Sequence, residues 1–175
     1  PLDGVAQITG VHLAGAVERV RGQLARDVPG LALSLHAAAD WSDDPTSLER
    51  CRADIDRANL IFVSMLFMED HIQAVLPWLQ ARRDHCDAMV CCISAGEVIK
   101  LTRMGRFRMD KGDSGPLALL KRLRGSKQPG ASSGAKQMAM LKRLPKILRF
   151  IPGTAQDVRA YFLAMQYFLS GSDEN

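Results

Sequence analysis

Glu69, Asp70 and His71 stand in a row directly after the apolar run NLIFVSM (59–65). Two carboxylates and an imidazole at the end of a buried strand can ligate a hard cation or serve as a general base. They can equally do structural work, because acidic side chains favour the first turn of a helix, where the backbone dipole is positive. A second cluster, Ser94, Gly96 and Glu97, follows the apolar run AMVCCIS (88–94). Its backbone N–H groups could face an anion at a helix start, or Ser94 could simply cap a tight strand-to-helix turn. His12, beside Thr9 and Gly10, and His36 are single imidazoles with no ligating neighbour in sequence. Ligands of parallel α/β sheets bind at the carboxyl ends of the strands. That rule makes His12, Glu69, Asp70, His71, Ser94, Gly96 and Glu97 the candidate ligand-binding set. No catalytic residue and no metal ligand set is assigned.

The elements that would position these residues alternate in type. VAQIT (5–9), LALSLHA (31–37), NLIFVSM and AMVCCIS read as strands. The last two are continuously apolar, as strands covered on both faces are. Between them lie helical patterns. Leu13, Val17, Val20 and Leu24 share one helix face, closed by Pro29-Gly30. Asp44-Pro45 gives an N-cap with proline at the first helical position, ahead of Leu48, Cys51, Ile55 and Ala58. Residues 69–85 carry Val75, Leu76 and Leu79 inward, with Pro77 as a kink. Such alternation predicts right-handed crossovers and an α/β fold: a flavodoxin-like parallel sheet of about four strands, order 2-1-3-4, with helices on both faces.

After residue 95 helical periodicity takes over, at about 96–104, 115–124, near 136–150, and from Thr154 onward. The last begins with a Thr154–Asp157 capping box and has Val158, Phe162, Met165 and Leu169 on one face, with Gly171 after its end. Residues 125–135, GSKQPGASSGA, have almost no apolar content and read as a flexible loop. The predicted division is a sheet domain over 1–110 and a helical extension over 111–175 packed on it.

Composition bounds what the chain can do. Its 175 residues are 47% hydrophobic and 24% charged, ordinary values for one globular domain. No stretch of about 18 apolar residues occurs and no signal peptide is expected. Cys51, Cys86, Cys91 and Cys92 form no Cys-x-x-Cys pair. Buried free thiols and a reducing cytoplasmic setting are expected, not a zinc site or a disulfide framework. P-loop, dinucleotide-binding, zinc-protease and nucleophile-elbow motifs are all missing.

Charge is uneven: net −5 over residues 1–94, net +11 over 95–150 and net −2 over 151–175. The basic stretch includes Lys142, Arg143 and Lys146. It holds no aromatic residue between Phe107 and Phe150, so the stacking platforms of a single-strand nucleic-acid binder are absent and no nucleic-acid partner is expected. Two readings stay open: the solvated face of amphipathic helices, or a face that docks on an acidic protein or an anionic membrane surface.

HLAGAVERVR (12–21), MLFMEDHI (65–72), CDAMVCCISAGEVIKLTRMGRF (86–107), GPLALLKRLRG (115–125) and above all LPKILRFIPGTAQDVRAYFLAMQYFLSGSDEN (144–175) together resemble the N-terminal domain of the large subunit of magnesium chelatases, in its purple-bacterial, bacteriochlorophyll-type branch. The resemblance covers essentially the whole chain. One departure is PLDGVAQITGV at the start, which is less apolar than the family's first strand. The resemblance implies a platform that holds protoporphyrin IX and works with two further subunits, one of them an ATPase motor, to insert Mg²⁺ for (bacterio)chlorophyll synthesis. It implies a ligase whose metal-insertion residues lie beyond residue 175. On that reading this chain carries no cofactor of its own, and protoporphyrin IX, Mg²⁺ and ATP belong to the whole complex. Its partners would be the remainder of the large subunit, the other two subunits, and as a peripheral candidate the photosynthetic membrane. The alternative is a flavodoxin-like domain whose loops contact porphyrin or an anion directly.

Overall fold

The computed structural model describes residues 4–10, 21–24, 26–110 and 154–170. The expected helices at 115–124 and near 136–150, the loop at 125–135 and the stop at Gly171 lie outside these residues, as does most of the first helix. Its end is described: residues 21–24 are helical, and the turn at Pro29-Gly30 closes it with Gly30 at φ +86°, a left-handed conformation that glycine adopts without a Cβ penalty.

Four five-residue strands form the parallel part of the sheet: β1 (Val5–Thr9), β2 (Leu33–Ala37), β3 (Leu60–Ser64) and β4 (Ala88–Cys92). Their order is β2-β1-β3-β4, with in-register pairs such as Ile8↔His36, Ile8↔Val63 and Val63↔Cys91. This is the flavodoxin-like order read from the sequence, and its topological switch falls between β1 and β3.

Helix α1 (Pro45–Arg57) starts where the sequence says it should. Asp44 accepts the Thr46 N–H at 3.0 Å and Pro45 opens the helix. Helix α2 (Glu69–Arg82) runs through Pro77, stopping three residues short of the expected end. Strand alternation divides the core in two. Ile8, Ile61, Val63, Met89 and Cys91 face α1 and α2, meeting Cys51, Ile55, Ile72, Val75 and Leu79. On the opposite face Val90 and half-buried Phe62 meet helix α4 (Thr154–Ser170) through Val158, Tyr161 and Phe162. The Tyr161 hydroxyl donates to the Cys91 carbonyl at 3.2 Å, fixing α4 to β4.

The helix expected over 96–104 is corrected. Helix α3 covers only Gly96–Ile99, and two antiparallel strands follow, β5 (Arg103–Met104) and β6 (Phe107–Arg108), extending the sheet to six strands. Two residues explain the switch. Thr102 Oγ1 accepts from the Cys91 N–H and donates to the Cys91 carbonyl, both at 3.1 Å, standing in for a strand neighbour. Gly105, at φ +55°, takes the first central position of the two-residue hairpin turn, the place where mirror-type turns favour glycine.

Arginines bind this hairpin to the end of α2. Arg83 donates to the Leu101 carbonyl at 2.9 Å and to Asp110 at 2.6 Å. Arg103 donates to the Arg83 carbonyl, and Arg108 reaches Asp84 at 2.8 Å. Part of the basic excess after residue 95 is therefore balanced within the fold by Asp84, which pairs with Arg103 and Arg108.

Candidate functional site

The carboxyl ends of β1, β3 and β4 are tied together by backbone bonds beyond the regular ladder. The Gly10 N–H donates to the Ser64 carbonyl at 3.1 Å and the Met65 N–H to the Ile93 carbonyl at 2.8 Å. The Ala95 N–H donates to the Leu66 carbonyl at 2.9 Å, and Ser94 Oγ accepts the Leu66 N–H at 3.1 Å while donating to the Cys92 carbonyl. Met65 and Ile93 sit at φ +58° and +46°. Left-handed backbone at non-glycine residues, and at a β-branched one above all, costs on the order of 1–3 kcal/mol each and persists only where surroundings enforce it. Here the surroundings are the hydrogen bonds just named.

Gly10 is required by contact: a Cβ there would lie 1.9 Å from the Met65 carbonyl oxygen. The β1 and β3 ends thus touch backbone to backbone at the topological switch.

This frame brings the 69–71 and 94–97 clusters to neighbouring loops, but presents their members differently. Glu69 and Asp70 are exposed in the first turn of α2, and Glu69 accepts from Gln73 Nε2 at 2.7 Å. Their position suits the helix dipole. His71 is half-buried and meets Trp41 edge-on, with ring centroids 5.7 Å apart. Its Nδ1 and Trp41 Nε1 are both buried without a hydrogen-bond partner. Ser94 is buried and braces the two loops; α3 is preceded by Ala95, with no side-chain cap. Gly96 and Glu97 are exposed at the start of that one-turn helix. The Ala95 N–H that could open an anion nest already has the Leu66 carbonyl as its acceptor. His12 and the basic trio Lys142, Arg143 and Lys146 lie outside the described residues. Among the described residues no group of three His, Cys, Asp or Glu side chains is placed to hold a metal ion.

His36 points into the layer under α1. Its Nε2 lies 2.8 Å from Asp54 Oδ2, and Arg57 pairs with the other carboxylate oxygen. Burial would raise the Asp54 pKa. Hydrogen bonds from Ser34 and His36, with the charges of His36 and Arg57, outweigh it and hold the carboxyl below its ordinary value. This cluster was not singled out in the sequence, although Asp54 follows Cys51 by three residues on the apolar face of α1. A carboxylate on a buried helix face needs partners. Asp54 and Arg57 also line a hollow of about 330 Å³ with Gly4, Val5, Ala32 and Leu33. It opens at the amino ends of β1 and β2, the edge away from the candidate loops.

All four cysteines are free and buried. Burial pushes the thiols up, Cys51 to about 12 and Cys92 to about 11, so none has the low-pKa, exposed setting of a reactive thiol.

Residues 8–162 match a protein family described as "Domain of unknown function (DUF3479)". Over 164 residues, 94% of the chain, the sequence is 51% identical to the H-type subunit of magnesium chelatase from Cereibacter sphaeroides and 48% identical to that from Rhodobacter capsulatus. Over 151 residues, 86% of the chain, it is 28% identical to the chloroplastic ChlH subunit of magnesium chelatase from Oryza sativa subsp. indica. The chain spans 14% of the length of the two bacterial relatives and 11% of the rice one.

Proposed function

The chain belongs to the DUF3479 family, and we propose that it is the N-terminal module of the porphyrin-handling subunit of a magnesium chelatase. The observation that carries the reading is 51% identity, sustained across 94% of the chain, to a protein named as the H-type subunit of that enzyme. In this proposal the complete assembly inserts Mg²⁺ into protoporphyrin IX, driven by ATP hydrolysis on a partner subunit, as an N–metal ligase of bacteriochlorophyll synthesis. Protoporphyrin IX, Mg²⁺ and ATP are substrates of that assembly. The module's partners are the remainder of its own subunit and the two other chelatase subunits, in the cytoplasm at the edge of the photosynthetic membrane.

The geometry supports a positioning or docking role over chemistry in the module itself. The ends of β1 and β3, where a ligand would sit in this fold, meet backbone to backbone at Gly10 and Met65. Of the candidate polar groups, Ser94 is engaged in bracing the loops, while Glu69 and Asp70 face solvent in a helical first turn.

Deleting residues 1–175 from the full-length subunit tests the reading. The expected result is loss of magnesium insertion by the reconstituted assembly, with porphyrin binding retained by the truncated subunit. Undiminished insertion would remove the module from the reaction. Saturable protoporphyrin IX binding by residues 1–175 alone would shift the reading to direct porphyrin contact.

A further inference from the structure

Phe67 and Met68 are the most exposed large hydrophobic side chains among the described residues, 56% and 63% accessible. Single exposed apolar side chains are normal on any surface. An adjacent pair on a rigid support is different, because its presentation costs no ordering when a partner arrives. The support here is unusually well fixed. Met65 turns the chain at φ +58°, Leu66 is driven fully into the core, and its N–H and carbonyl are held by Ser94 and Ala95. The Met68 carbonyl then accepts the Ile72 N–H at 3.0 Å as α2 begins. Phe67 and Met68 are thus held outward between a buried anchor and a helix start. Exposed Glu69 and Asp70 follow them directly, so the apolar tip has an acidic rim.

We infer that the Phe67–Met68 tip is a docking surface for the remainder of the same polypeptide, which meets it with an apolar socket flanked by basic side chains. The inference rests on the functional reading above only for the length of that polypeptide: the chain spans 14% of its bacterial relatives, so most of the protein surface tethered to this domain lies outside it. Tethering gives such a segment a high effective concentration at the tip. The acidic rim selects a basic surround and disfavours an acidic one.

The test uses the full-length polypeptide with the photocrosslinker p-benzoylphenylalanine placed at position 67, and separately at position 68 as a second probe. Both positions are exposed, so the fold should tolerate them. Illumination is expected to join position 67 or 68 to a peptide beyond residue 175 of the same molecule, at an apolar stretch flanked by Lys or Arg. Adding Glu69→Lys and Asp70→Lys should abolish most of that crosslink. Mixing isotopically heavy and light protein separates joins within one molecule from joins between two. Crosslinks to a second copy, to another subunit or to residues 1–175, or no protein crosslink at either position, would overturn the inference. Magnesium insertion is assayed on the unmodified parent. Insertion without an internal crosslink removes the docking surface and keeps the functional reading, and an internal crosslink without insertion does the reverse.

Discussion

Asp54 of α1 and His36 of β2 meet at 2.8 Å beneath the helix layer, with Arg57 closing the carboxylate from the solvent side. The contact joins α1 to β2 by a polar clasp within an otherwise aliphatic interface. A buried carboxylate is tolerated only because its oxygens accept from several directions.

Replacing Asp54 with Ala should lower stability by about 2 kcal/mol, since hydrogen bonds to a charged group are lost and His36 is left without its partner. The pH dependence fixes the cause. The folded Asp54 pKa lies below its unfolded value near 4. Its contribution is therefore complete above pH ~4 and is lost as pH falls through the depressed folded value. Urea melts of the parent and Asp54→Asn should differ most near neutrality and converge in acid. A gap that stays constant down to pH ~3 would mean that the carboxylate charge contributes nothing.

Gly105 and Asp157 make a second checkable pair. The Asp157 carboxylate accepts the Arg106 N–H at 2.9 Å, and a Cβ on Gly105 would stand 2.8 Å from Asp157 Oδ2. Gly105→Ala should cost about 1–2 kcal/mol from left-handed backbone plus this contact. Gly105→Ala in an Asp157→Ala background should cost less, because the backbone penalty remains while the contact goes. Thermal melts of the four proteins in the double-mutant cycle give the coupling. Strict additivity would show that α4 does not press on the hairpin.

Where apolar runs are continuous the sequence shows the fold plainly. LIFVS and AMVCC are buried strands in the centre of the sheet, and Asp44-Pro45 starts α1 as its residue types require. The β5–β6 hairpin escaped because each strand has two residues, too few for a period to show. Its signals are single residues: Thr102, whose side chain doubles as a strand partner, and Gly105, whose turn needs positive φ. The Asp157 of the expected capping box also accepts the Arg106 N–H of the hairpin turn, a tertiary contact that local spacing does not contain. At the candidate site, apolar run lengths were enough to put residues 69–71 and 94–97 just past the ends of β3 and β4. They could not show that Ser94 braces one loop against the other, because that depends on Leu66 arriving from 28 positions away.

The cysteines should be silent in the native protein. With its pKa near 12, the Cys51 thiol is ionised to about one part in ten thousand at pH 8, and burial blocks access as well. A disulfide-exchange reagent at pH 8 should therefore titrate the thiols only as slowly as the domain opens, and all four promptly in denaturant. One fast native thiol would show that a cysteine environment is more open than the packing around Cys51, Cys86, Cys91 and Cys92 allows.

The basic stretch yields the last prediction. Arg103 and Arg108 find Asp84 within the fold, yet the net charge over 95–150 is +11, and surface ion pairs add only about 0–1 kcal/mol each. Lys142, Arg143 and Lys146 are proposed to steer an acidic partner: another chelatase subunit, the remainder of the large subunit, or an anionic membrane surface. Steering acts over a Debye length of about 8 Å at physiological ionic strength and weakens as salt rises. Reversing all three to Glu in the full-length subunit should lower magnesium insertion and flatten its dependence on salt, while far-ultraviolet circular dichroism and the melting midpoint stay near the parent's. A triple variant with the parent's rate and the parent's salt profile would reduce these cations to solvated surface.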